Sequence, residues 1–177
     1  PFSISSSGAV GLWQIMPRTA ELLGLKENWW VEERHDPYKS TDAAIRYLDY
    51  LYKRFNQDIY FVLVAYNAGP TFTSKAIQKS SRRASVLSYK DLPLSAQTRN
   101  YIPKFLALIE LINNNEKYNI DLPEIPYSKV VDKISFEEQI EILNFSDFLN
   151  LKPELLYKLN AGYTKWATDP NMVSSFY

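Results

Sequence analysis

The sequence has 177 residues, enough for one well-packed core of ordinary domain size with chain left for a small second module. Hydrophobic residues make up 46% and charged residues 23%, which excludes an intrinsically disordered chain, and 20 basic residues offset 20 acidic ones, so no overall field steers the chain towards nucleic acid or an anionic membrane surface. Cysteine is absent, which removes disulfides, thiolate nucleophiles and cysteine-ligated metals together.

In chain order, Pro17 at a first turn and Gly24 as a stop predict a short helix over Pro17–Leu23. Ser40 or Thr41 is the expected N-cap of the next helix, whose apolar stripe Ala44, Tyr47, Leu48, Leu51 and Phe55 faces a core. Asp58 caps a run over 59–66 that is apolar nearly all round, as expected of a central helix. Gly69-Pro70 breaks that run, a short polar helix follows to about Lys79, and 80–88 reads as an exposed loop. Over 95–115 the residues Tyr101, Phe105, Leu108, Ile109 and Ile112 predict a long closing helix, offset by Pro103. Pro123 and Pro126 place a linker over 120–128. Beyond it, a β-branched run over 129–136, helices over 140–149 and Pro153–Leu159, and a stop at Gly162 predict a compact β-α-α-β unit.

Aromatic residues are 15% of the chain, and Tyr and Trp suit both a core and the stacking of sugar rings. The chain opens at Pro1 without a basic-then-apolar leader, so an export signal or lipid anchor is expected to be removed or to lie upstream. The longest apolar stretches, 59–65 and 105–112, fall well short of the roughly 20 residues that a spanning helix requires.

The strongest motif is Ser5-Ser-Ser-Gly-Ala-Val-Gly-Leu-Trp-Gln14-Ile-Met-Pro17, in which glycines permit close backbone approach around a polar amide. It closely resembles the signature of the goose-lysozyme-like SLT transglycosylase domain. Ala65-Tyr66-Asn67-Ala68-Gly69 and Gln97-Thr98-Arg99-Asn100-Tyr101-Ile102-Pro103-Lys104 resemble two further signatures of that family, in the same order. Glu33-Arg34-His35-Asp36-Pro37 with Ser40-Thr41 is similar to the lead into the second helix of the membrane-bound, D-type branch.

The resemblance implies a mainly α, lysozyme-like helical domain over 1–122, followed by a small α+β, LysM-like β-α-α-β module over 129–177. It implies a lytic transglycosylase that cleaves between N-acetylmuramic acid and N-acetylglucosamine. In that chemistry one glutamic acid protonates the bridging oxygen, then takes the proton of the muramyl 6-hydroxyl as that hydroxyl attacks the anomeric carbon and forms a 1,6-anhydro sugar. The family's Glu-Ser-x-Phe-x-Pro segment ends at the position of Pro1, so the acid is expected about five residues upstream and no catalytic acid is assigned within the chain. An apolar pocket raises a carboxyl pKa, and Trp13, Ile15 and Met16 would supply one if they face the acid. Carried over position by position, the substrate-groove residues are Ser5, Gln14, Tyr66, Asn67 and Tyr101.

Glu32, Glu33, Asp36, Glu110 and Glu116 are expected to be solvated charges, Trp13 a core residue, and His35, the one histidine, a loop residue without metal partners. No metal and no cofactor is implied. The expected partner is the peptidoglycan glycan strand, with no nucleic acid, a membrane only through an upstream lipid anchor, and a location in the periplasm or outer-membrane-associated cell envelope of a bacterium. Gln97 stands where the family pattern has a glutamate, which leaves a non-catalytic peptidoglycan-binding or scaffold protein as the alternative; a goose-type lysozyme that hydrolyses with water would share the fold.

Overall fold

A computed structural model describes residues 1–82, 86–125 and 131–177. Parts of the expected loop (83–85), of the expected linker (126–128) and of the start of the expected module (129–130) lie outside the described residues. The regular structure is mainly helical, with α1 Pro17–Leu23, α2 Pro37–Arg54, α3 Ile59–Ala68, α4 Pro70–Ser80, α5 Ala96–Asn113, α6 Ile142–Phe148 and α7 Pro153–Leu159, and strands β1 Ile134–Phe136 and β2 Ser174–Phe176. Tertiary contacts divide the chain into two compact units, Pro1–Tyr47 with Ser128–Tyr177, and Leu48–Tyr127. This division differs from the one expected at the Pro-containing linker.

In the first unit, α1 begins at Pro17 and ends at Gly24 in the left-handed conformation, as expected. Ile15, Ala20 and Ala43 form a small buried cluster with Trp13, Leu23 and Leu25 packed on it. The start of α2 corrects the expected cap. Asp36 Oδ1 accepts from the backbone N–H groups of Tyr38 and Lys39, both at 2.9 Å, while Ser40 lies inside the helix and donates to the Asp36 carbonyl. Pro37 explains the shift: its fixed φ suits the first helical position, which makes the preceding aspartate the cap.

The β-α-α-β order of the carboxy-terminal segment matches the expectation. Strands β1 and β2 are antiparallel with Ile134 opposite Phe176, and Ile142, Phe145, Leu156 and Phe176 form the core beneath them. Helix α7 ends at Asn160 rather than at Gly162. Asn160 donates to Leu156 O and Tyr177 O and accepts from Tyr177 N, so a buried amide ties the helix end to the strand end. Gly162 has a different reason to be glycine, since a Cβ there would lie 3.0 Å from that of Asp36.

The same segment bonds to a hairpin near the amino terminus. Residues 26–33 fold back through Asn28 N to Val31 O (2.8 Å) and Glu33 N to Lys26 O (2.9 Å). The hairpin donates from Glu32 N to Gly162 O and accepts at Trp30 O from Thr164 N, and Asn28 Nδ2 reaches the Asp169 carboxylate at 2.8 Å. These bonds are why residues after 128 join the first unit.

In the second unit, Asp58 caps α3 by accepting from Tyr60 N and Phe61 N, and Val62, Leu63, Val64 and Ala65 are buried. Leu63 and Val64 pack with Ala76 of α4, Leu92, Leu94 and Ile102 of α5. Ser95 caps α5. Pro103 lies inside α5 and removes the bond that an N–H would donate to Arg99 O. The long helix expected over 95–115 is present, with Ile102 buried and Phe105, Leu108, Ile109 and Ile112 exposed, because the core gathers on α3, α4 and the first half of α5.

The carboxyl of Asp36 is raised above its ordinary range, by burial first, against the lowering effect of the Lys39 and Tyr38 backbone bonds. An acid raised in the folded state binds its proton more tightly there than when unfolded, so its net ionisation lowers stability as pH rises from the ordinary carboxyl value through the folded one. Asp36→Asn, which keeps the capping oxygen, should therefore gain on the unaltered chain as pH rises through that window. Asp36→Ala should lose about 1 kcal/mol or more at pH 7. Urea denaturation at several pH values measures both, and an Asn variant whose stability relative to the unaltered chain did not rise with pH would reject the assignment.

Candidate functional site

Residues 3–17 form an irregular ribbon held by its own backbone. Val10 and Ile15 exchange N–H···O bonds at 3.1 Å, Ser5 N donates to Ala9 O at 2.8 Å, and Gly11 N donates to Ser3 O at 2.9 Å. Ser5 Oγ accepts from Ala9 N at 2.9 Å, so this expected groove hydroxyl also closes the turn beneath it. Gln14 is exposed and has φ +50°. Its Nε2 donates to Gly11 O at 2.8 Å and to Ser3 O at 3.4 Å. Two carbonyls can be met only by the amide nitrogen, which fixes the orientation of the group and leaves Oε1 to accept from a hydroxyl or an N-acetyl N–H.

Beneath the ribbon lies Arg34, 4% exposed. Its Nη1 donates to Gly8 O (3.2 Å) and Ile15 O (3.5 Å), while Nε and Nη2 meet Glu32 at 2.9 and 2.5 Å and Nη2 meets Glu27 at 3.1 Å. The hydrogen bond to Glu32 raises the guanidinium pKa further, against desolvation. Gly11 allows this approach: its φ is +79°, and a Cβ would fall 1.9 Å from the Arg34 carbonyl oxygen. In the sequence Arg34 stands within the Glu33–Pro37 motif, and nothing in residue type or spacing signals that it holds the ribbon.

The acids nearby correct the expectation of solvated charge. Glu33 and Asp36 are buried; Glu33 accepts from Lys26 N at 2.7 Å and from Lys39 Nζ at 2.6 Å. The Lys39 ammonium is raised although burial, the largest influence, acts to lower it, because Glu33 and Asp36 together outweigh that effect. Each acid has a structural partner. Glu110 and Glu116 are exposed, as expected. Trp13 is half-buried with Nε1 donating to Thr41 Oγ1 at 2.7 Å, a packing role. Ile15 is buried and Met16 exposed. The His35 ring donates from Nδ1 to Pro1 O at 2.7 Å.

Tyr66 and Asn67 lie half-buried in the last turn of α3, and Tyr101 lies half-buried on α5, packed against the core that α3 and α5 share. Burial raises the Tyr101 hydroxyl above its ordinary pKa, so it stays a proton donor throughout the neutral range. Ser5 and Gln14 thus belong to the first unit, and Tyr66, Asn67 and Tyr101 to the second. Two concavities of about 470 and 450 Å³ are lined by residues such as Arg54 and Phe55, and Tyr60 and Tyr89, and by none of these five.

Residues 1–87 match the Transglycosylase SLT domain family. That match contains Ser5, Gln14, Tyr66 and Asn67 and ends before Tyr101. Membrane-bound lytic murein transglycosylase D of Escherichia coli (strain K12) is 32% identical over 162 residues, 92% of this chain and 36% of that protein. Membrane-bound lytic murein transglycosylase E of Buchnera aphidicola is 34% identical over 95 residues, 48% of this chain and 43% of that protein. Soluble lytic murein transglycosylase of Salmonella typhimurium (strain LT2) is 29% identical over 107 residues, 58% of this chain and 17% of that protein. The chain therefore spans about a third of the length of the D-type relative, 36%. No helix of the described residues is long and apolar enough to cross a membrane.

Replacing Arg34 by Met would leave two carboxylates and two carbonyls around an apolar side chain. Such a change should cost roughly 3 kcal/mol in urea denaturation, while Arg34→Lys, which keeps the charge but not the fork, should cost less. Equal stability of the Met variant and the unaltered chain would remove Arg34 as the support of the ribbon.

Proposed function

We propose that the chain is part of a peptidoglycan lytic transglycosylase that cleaves the β-1,4 bond between N-acetylmuramic acid and N-acetylglucosamine, leaving a 1,6-anhydromuramyl end. The observation that carries this reading is the SLT match over residues 1–87 together with 32% identity across 92% of the chain to a lytic murein transglycosylase. The geometry supports it through the ribbon of residues 3–17, whose backbone and buried Arg34 hold the Gln14 amide at the surface with its acceptor available. In this reading Ser5 and Gln14 of the first unit, and Tyr66, Asn67 and Tyr101 of the second, are residues that contact the glycan. The acid is the family's single glutamate, at the position about five residues before Pro1. The site of action is the bacterial cell envelope, in the periplasm or at the outer membrane.

The segment 129–177 resembles a LysM module, and in this reading it adds affinity for polymeric glycan. Because the 26–33 hairpin bonds to residues 162–169, point substitutions rather than truncation are the means of testing it.

Gln97 favours a second reading, a non-catalytic peptidoglycan-binding protein. It is exposed in the first turn of α5, where a glutamate would interact favourably with the helix dipole and a glutamine adds no charge.

Mass analysis of products from purified murein, using the full-length protein, decides among the readings. Anhydromuramyl ends, one water lighter than reducing ends, are the expected product. Reducing ends would mean hydrolysis, and binding without products would favour the second reading. In an active protein Gln14→Ala should lower turnover about tenfold, the worth of one hydrogen bond to the reacting sugar, while the loss of its bonds to Gly11 O and Ser3 O costs about 1 kcal/mol of stability; full turnover in the folded variant would take Gln14 out of the groove.

A further inference from the structure

Three of the four tryptophans gather in one place on the first unit. Trp30 meets Trp166 edge-on with ring centroids 6.0 Å apart, and Trp29 next to it carries the Lys165 ammonium 3.5 Å from its ring centre. Trp30 is half-buried, whereas Trp29 is 65% and Trp166 57% exposed. The backbone beneath the rings is fixed from both sides. Asn28 Oδ1 accepts from Trp30 N and Val31 N at 2.8 and 3.0 Å. From the other side Thr164 donates its N–H to Trp30 O at 2.9 Å and its hydroxyl to Trp29 O at 2.7 Å.

Large rings held out in water on a rigid support, without an apolar element over them, are the form of a preorganised contact surface. The surroundings select the occupant. Glu27, Asn28 and Thr164 are exposed polar neighbours, so the apolar area is two rings within a polar rim. A protein partner needs several hundred Å² from each side, and interfacial insertion into a membrane needs a continuous apolar face. A pyranose ring needs one indole face for its C–H groups and polar neighbours for its hydroxyl and N-acetyl groups. Lys165 covers at most one face of Trp29 and adds a cation that would meet the carboxylates of peptide-substituted sugars.

We propose that Trp29 and Trp166 form a glycan-binding platform that stacks N-acetylated sugar rings of the peptidoglycan strand. The platform rests on the murein-acting reading above and adds to it a binding surface outside the five groove residues. It joins an amino-terminal hairpin to a carboxy-terminal loop, so neither segment alone carries it.

The test uses the 177-residue chain, sedimented with insoluble murein and titrated with chitotetraose by tryptophan fluorescence. The Trp29→Ala/Trp166→Ala double variant should bind murein about fivefold to tenfold more weakly, and Trp166→Phe should retain most of the affinity. Unaltered murein binding by a folded double variant would overturn the proposal. So would sedimentation with phosphatidylethanolamine–phosphatidylglycerol vesicles but not with murein, which would make the patch a membrane contact. Should the double variant melt early, acrylamide quenching of the unaltered chain decides: chitotetraose should shield the exposed indoles, and no shielding rejects the platform. Product analysis of the full-length protein is a separate readout. Loss of the activity reading with Trp-dependent murein binding intact leaves the platform standing.

Discussion

A guanidinium removed from water must have its charge and its donors met by fixed groups, or burying it costs several kcal/mol. Arg34 is met on one side by the Glu32 and Glu27 carboxylates and on the other by the Gly8 and Ile15 carbonyls. The charge is thereby a joint between two stretches of chain that have little regular structure of their own. The ribbon of residues 3–17 lacks the length for a stable hairpin, and the Gln14 amide is held at its surface through contacts that converge on Gly11 and Arg34. Two residues further on, Asp36 starts α2 and lies against Gly162. The stretch from Glu27 to Ser40 thus links ribbon, hairpin, helix and carboxy-terminal segment.

Polar groups in this unit add to what its two small apolar clusters supply. Glu33 with Lys39, Asn28 with Asp169, Asn160 with the strand end and Ser146 with Leu151 O are interior or half-interior bonds. Among the described residues no buried side-chain nitrogen or oxygen lacks a partner. A network satisfied to this degree specifies one arrangement more sharply than an apolar contact of equal area, because a displaced member leaves its partner unmet in a low-dielectric interior. The Leu48–Tyr127 unit is held instead by Leu63, Val64, Ala76, Leu92, Leu94 and Ile102.

Local chemistry was legible in the sequence wherever a residue acts on its own neighbours. Pro17 and Gly24 bound α1, Asp58 caps α3, Gly69-Pro70 separates α3 from α4, and the β-α-α-β order follows from its turn and helix signals. Local signals fail where distant chain decides. Glu33 and Asp36 looked solvated because charge usually is, and their partners came from the fold. The apolar stripe of α5 marks a helix, but its outer half is exposed, since periodicity records a face and not the element that covers it. Ser5 and Gln14 are legible as a motif, while their internal bonds, and the support from Arg34, arise only in the folded chain. Trp166 stands beside Trp30 although 135 residues separate Trp29 from its bond to Thr164, a pairing without local signal.

The hairpin at residues 26–33 leaves the ribosome long before residues 162–164, which complete it. Glu32 N and Trp30 O wait for Gly162 and Thr164, so during synthesis the amino-terminal stretch has only the solvent to satisfy edges that the finished fold fills. Contacts this distant in sequence carry a large closure entropy and slow folding. The Leu48–Tyr127 unit, continuous in the chain, can gather its own core earlier. The two halves of the first unit can close only once residues 162–169 have been made, and until then the polar edges of the 26–33 hairpin face solvent.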